Sequence, residues 1–210
     1  MKGGTGAEAI KVFTWLESFF DDVAALTREV DSAMNKEDFV SAYDNICVWD
    51  RSQTIQDGDR WLPRWMLRVY FDKAYRAQPP ARQRSVTSTP YWGFFGVYFK
   101  PAQLQPAQAE PIAAWGVVRQ SNVTEPVDRW PAAARAGIAS GSPWFLLTPV
   151  VDEWQAIPSA ELPPEFDLVE YRARPVVDLH DPKAVEDFVA KPLVLRLQEL
   201  RRVMSTPPQL

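Results

Sequence analysis

Nine consecutive residues, Tyr91-Trp92-Gly93-Phe94-Phe95-Gly96-Val97-Tyr98-Phe99, stay apolar whichever way their side chains point. In a strand, successive side chains face opposite sides of the sheet. A run that is apolar on both sides must be covered on both. The segment 91–99 therefore predicts a central strand. Its two glycines mark a bulge or a place where something approaches the backbone closely.

Two further segments supply neighbours. In 64–72, Trp65, Leu67, Val69 and Phe71 alternate with Met66, Arg68, Tyr70 and Asp72. That period of two, in aromatic and branched residues, predicts a strand. Ile112 to Arg119 reads as a third. Trp144 to Thr148, between Pro143 and Pro149, reads as a fourth, and Phe166 to Leu179 as a fifth, broken or edged at Pro175. The Pro- and Gln-rich stretch 100–111 and the Pro-rich acidic stretch 150–165 read as exposed loops. The chain holds nine tryptophans. Each buries a large area and asks for a partner for its N–H, so a heavily packed core or an aromatic contact surface is expected.

Residues 7–33 give the strongest helical pattern. Val12, Leu16, Phe19, Val23, Leu26 and Val30 are spaced 4, 3, 4, 3 and 4 apart. That keeps one apolar stripe on one side of a helix, widened by Phe13, Trp15 and Phe20. It predicts a core-facing helix. A helical dimer or a partner-docking face is the alternative. Asn35 ahead of Lys36-Glu37-Asp38 reads as the cap of a second helix, about 36–46, turning Phe39, Val40 and Tyr43 inward. Asp128 to Gly137 reads as a short helix. Asp181-Pro182 reads as an N-cap with proline in the first turn. That last helix runs to about Ala190. Pro192 restarts or kinks it, and Leu193, Leu197 and Leu200 carry its stripe to about Met204.

The order α-α-β-β-β-α-β-β-α predicts an α+β domain. About five antiparallel strands carry an N-terminal amphipathic helix and a C-terminal helix. The domain is expected over 7–204, with flexible tails at 1–6 and 205–210. As fold analogy alone, the order after the first helix resembles small bacterial secretion chaperones, which pack helices on a twisted antiparallel sheet.

The residue inventory points away from several chemistries. One histidine, His180, and one cysteine, Cys47, make a zinc site implausible, and neither HExxH nor paired CxxC occurs. Cys47 lies among Ile46, Val48 and Trp49, as a small apolar filler would. His180 reads as a residue between strand end and helix start. Gly3-Gly4-Thr5-Gly6 neither follows a strand nor ends in Gly-Lys-Ser/Thr, so no phosphate loop is expected. There is no GxSxG. No cofactor and no metal are expected. Carboxylates leave one enzyme route: Asp21-Asp22, Asp50, Asp57, Asp59, Asp152-Glu153, Glu170 and Asp178, of which two or three would have to converge.

The least bland segment is 60–84. Seven basic residues stand against Asp72, a local charge of +6 in a chain of net −4. Arg60, Trp61, Arg64, Trp65, Arg68, Tyr75, Arg76, Arg82 and Arg84 are the candidate partner-binding residues. Arginine and tryptophan are preferred anchors in protein interfaces. The same mixture suits single-stranded nucleic acid, although a pI of about 5.1 opposes generic nucleic-acid binding. A half-buried strand with solvated arginines explains the segment without any ligand.

Three functions are weighed. The first is a non-catalytic protein–protein interaction module of bacterial type: an adaptor, a chaperone-like protein, or an immunity or inhibitor protein. The second is a carboxylate- or metal-dependent hydrolase or nuclease. The third is a nucleic-acid-associated protein using 60–84. A single cysteine and no long apolar run point to a cytoplasmic protein without a membrane span.

Overall fold

The computed structural model describes residues 6–42, 47–49, 65–75, 90–99, 110–121, 151–162 and 166–205. The expected strand at 144–148 and helix at 128–137 lie outside them.

Helix α1 runs Gly6–Lys36. Strands follow at β1 (Phe39–Ser41), β2 (Val48–Trp49), β3 (Trp65–Asp72), β4 (Tyr91–Tyr98), β5 (Ile112–Gln120), β6 (Val151–Ala156) and β7 (Phe166–Pro175). Helix α2 (Pro182–Ala184) passes through a π-helical stretch, Val185–Ala190, into α3 (Lys191–Ser205). Every described strand pair is antiparallel, in the order β1-β3-β4-β5-β7-β6, with β2 also pairing β3. The α+β architecture with a helix at each end therefore stands. The ladder has six strands rather than about five.

Strand β4 lies inside the ladder and is buried along its whole length. Its alternation divides two cores. Tyr91, Phe95 and Val97 join Met66, Tyr70, Trp115 and Val117 on the face covered by α1 and α3. Trp92, Phe94 and Tyr98 join Trp65, Leu67, Val69 and Phe71 in a second buried cluster on the opposite face. The glycines of this strand mark close approach and not a bulge, because the register runs unshifted through both. A Cβ on Gly93 would lie 2.8 Å from the Leu197 side chain of α3. Gly116 of β5 is tighter still: a Cβ there would meet the Glu170 carbonyl oxygen at 2.2 Å and the Phe94 ring at 2.7 Å.

Three expectations are corrected. No second helix starts at 36. Asn35 lies inside α1, and Asp38 takes the left-handed conformation (φ 60°), which an aspartate tolerates. The chain then reverses, and Phe39–Ser41 pairs with Tyr70–Asp72. Pairing with a formed strand overrides a cap-like local sequence. Second, part of the expected loop 150–165 is strand β6, which draws its structure from pairing with β7 and has little apolar alternation of its own. Third, the strand begun at Phe166 does end at Pro175, where a break was expected, but 176–179 forms a 3₁₀ turn and not further strand. Proline cannot continue the ladder.

The predicted cap at Asp181 is present. Its carboxylate accepts the Ala184 N–H at 2.8 Å, with Pro182 in the first turn. The restart or kink expected at Pro192 takes the form of a change of helix type, the π-helical stretch Val185–Ala190 giving way to α3 at Lys191. Ahead of it the backbone widens, the Lys191 N–H donating to the Glu186 carbonyl. Proline lacks an N–H and crowds the carbonyl four residues back. A π turn in front of it relieves both while the helix continues.

Candidate functional site

On β3, Met66, Arg68, Tyr70 and Asp72 face the helices, and both charges of that row are neutralised within the protein. Arg68 is only 3% exposed. Its Nε donates to Asp31 Oδ1 of α1 at 3.1 Å, and its Nη2 to Asp31 Oδ2. The Tyr70 hydroxyl donates to Asp31 Oδ1 at 2.7 Å. The fork geometry of the guanidinium matches the two carboxylate oxygens. Asp72 Oδ2 accepts from Tyr91 at 3.0 Å and from Arg201 Nε of α3 at 2.6 Å, and its Oδ1 accepts the Ala74 N–H at 2.9 Å. The Arg201 guanidinium lies 4.4 Å above the Phe39 ring. Burial, with the Asp31 charge beside it, pushes the Tyr70 hydroxyl well above its usual range. Tyr91 moves the same way through burial and Asp72.

These facts revise the candidate set at 60–84. Trp65 is 5% exposed and sits in the second core, and Arg68 is an internal ion-pair partner. Neither offers the exposed anchor that the partner-binding reading assigned to it. The alternative of solvated arginines fails at Arg68 as well. Tyr75 ends the 3₁₀ turn Lys73–Tyr75. Arg60, Trp61, Arg64, Arg76, Arg82 and Arg84 lie outside the described residues.

Cys47 is half-buried, not sealed in the core. It lines a cleft of about 370 Å³ with Phe20, Thr27, Asp31, Met66 and Arg68. Burial pushes its thiol up, against the lowering effect of Arg68. A protonated thiol is a poor nucleophile. His180 is exposed, its Nδ1 3.3 Å from the Val177 carbonyl and its Nε2 3.3 Å from Asp181. Of the carboxylate candidates, Asp50, Asp57 and Asp59 lie outside the described residues. Glu170 is held by Arg196 of α3 at 2.7 Å, and Arg196 also reaches Glu199 at 2.5 Å. Among the described residues no three His, Cys, Asp or Glu side chains form a group able to hold a metal ion.

Among the described residues, large apolar side chains are exposed on the first half of α1 and, more scattered, at Val177, Phe188, Leu195, Val203 and Met204. The stripe that begins at Val12 is covered only from Val23 onward. Phe19 and Phe20 pack edge-on against Phe99 at 5.9 and 5.2 Å, and Trp15 stacks on Phe19 at 5.4 Å. Before them the helix carries Ile10 (67% exposed), Val12 (56%), Phe13 (65%) and Trp15 (60%). Beside Trp15 and Phe19 opens a cleft of about 510 Å³ between α1 and the 176–182 turn, floored by Leu26, Val176, Leu179 and Val185.

The sequence pattern located this stripe and assigned it to the core, with a helical dimer or a docking face as the alternative. Length alone signalled the overhang: at about 1.5 Å per residue the 31 residues of α1 reach about 46 Å. Eight residues of β3 span about 26 Å. A helix that long outruns the sheet it covers. Comparison adds no relative: no protein-family model, curated protein or solved structure matches the chain.

Proposed function

We propose that this chain is a non-catalytic protein–protein interaction module, of the adaptor, chaperone-like or immunity type, which docks its partner on the N-terminal half of α1. The observation that carries the reading is the exposed row Ile10, Val12, Phe13 and Trp15. Val12 and Trp15 continue the apolar stripe beyond its buried part, and Phe13 and Ile10 extend apolar surface round the helix from it. Exposed apolar surface of that kind marks contact sites. A rigid helix also presents its anchors at low entropic cost. The nucleic-acid reading is weakened because Trp65 and Arg68 lie in the interior. The carboxylate-enzyme reading is weakened by the pairing of Glu170 with Arg196.

The test is co-purification from the native host with the chain tagged at its C-terminus. A stoichiometric protein partner is expected with the wild type. It should be lost from a Val12→Ser/Phe13→Ser/Trp15→Ser variant whose circular dichroism and melting temperature are unchanged. Retention of the partner by that variant would sink the proposed surface. Absence of any stoichiometric partner would sink the function.

A further inference from the structure

We infer that the cleft between α1 and the 176–182 turn seats an amphipathic helix of the partner, with basic residues flanking its apolar ridge. This rests on the interaction-module reading and names the occupant.

The walls are apolar and helical in spacing. Val12, Leu16 and Phe19 continue the 4, 3 spacing that leads into Val23 and Leu26. Of this series, Phe19 and Leu26 line the cleft, and Val176, Leu179 and Val185 line its other side. A ridge with that repeat is complemented by another helix, whose side chains drop into the gaps. The cleft volume of about 510 Å³ accommodates a few large apolar side chains.

The rim is acidic. Asp22 and Glu29 of α1 stand on one side and Asp181 on the other, with His180 next to it. From Gly6 to Asp22 the helix holds four acids and one lysine, Lys11. A second copy of this chain would bring one acidic helix against another, which is unfavourable. A helix with lysines or arginines beside its ridge meets complementary charge on both rims.

The probe is a synthetic peptide of about 20 residues, with leucines at helical spacing and flanking lysines, followed by fluorescence anisotropy. A second peptide carries glutamates in place of the lysines. The protein is the full chain, as wild type, as Trp15→Ala, and as the neutral variant Asp22→Asn/Glu29→Gln/Asp181→Asn. Asparagine at 181 keeps a helix-capping side chain. The lysine peptide should bind the wild type. Its affinity should fall by about tenfold or more in the neutral variant and at high salt. It should fall in Trp15→Ala also, and the glutamate peptide should bind far more weakly.

Equal binding of both peptides would overturn the charge assignment while leaving an interaction surface on α1. Binding of neither peptide, together with a dimer in sedimentation that Trp15→Glu dissociates, would make the occupant a second copy and overturn the inference. Binding of neither peptide by a monomer overturns it too. The co-purification test above then decides the wider reading by itself.

Discussion

Arg68 is the residue whose role differs most between pattern and fold. A guanidinium amid tryptophans reads as a surface anchor, yet here it joins β3 to α1 through Asp31. Removing one partner of such a pair leaves the other without compensation, which costs more than the intact pair contributes. Arg68→Met should therefore destabilise the chain by about 3 kcal/mol in urea unfolding. Adding Asp31→Asn should restore a good part of that loss. A double variant no more stable than Arg68→Met would show that the pair is not coupled. Tyr70 and Tyr91 make a pH prediction. Both hydroxyls ionise above their usual range in the folded chain. An unfolded tyrosine ionises near pH 10. Above that pH the unfolded chain releases protons that the folded chain retains, so unfolding is favoured. Their stabilising effect should be intact below about pH 9 and decline above about pH 10. Near-ultraviolet absorbance and circular dichroism should show these two of the six tyrosines ionising only as the structure melts. Reversible ionisation of all six with the dichroism intact would contradict this.

At the scale of elements, α1 has two halves with one pattern. Its C-terminal half buries Val23, Leu26, Val30 and Met34, whereas the half before Leu16 is exposed. Val12→Ser or Phe13→Ser should change unfolding free energy by no more than about 0.5 kcal/mol. Val30→Ala, in the same stripe, should cost about 2 kcal/mol through the cavity it leaves. Equal losses at Val12 and Val30 would place the first half in the core. Strand packing makes the opposite demand at Gly116, where the added carbon of Gly116→Ala would collide with the Glu170 carbonyl. Backbone cannot swing aside as a side chain can. A loss of about 3 kcal/mol is expected by denaturant titration, and a neutral result would mean that β5 and β7 are farther apart. The elements with their own signal were legible: α1, β3, β4, β5 and the capped C-terminal helix each carry a period, an apolar run or a cap. β1 and β6 carry none. Phe39–Ser41 follows a cap-like sequence, and Val151–Ala156 is short and polar. Each is a strand because it borders a strand that is already formed.

Across the whole molecule, one sheet serves two cores. Strands β3, β4, β5 and β7 contribute side chains to the clusters on both faces, so loss of either face removes support from the other. Polar links add to this: Arg201 to Asp72 and Arg196 to Glu170 tie α3 to the sheet, and Gln198 donates to Glu37 at 2.8 Å next to the end of α1. Denaturation followed by tryptophan fluorescence and by far-ultraviolet dichroism should therefore give coincident transitions. Two separated transitions would mean that the faces unfold independently. No helix among the described residues is long and apolar enough to cross a membrane. The amino-acid sequence by itself determined that 91–99 needs cover on both sides, because alternating side chains have no polar face to offer water. It also determined that a long amphipathic helix begins the described chain. Only the tertiary structure decided how far that helix is covered, which short segments become edge strands, and that Arg68 is neutralised inside. Periodicity records which side of an element is apolar. It does not record where the covering surface ends, nor which distant carboxylate is brought to an arginine.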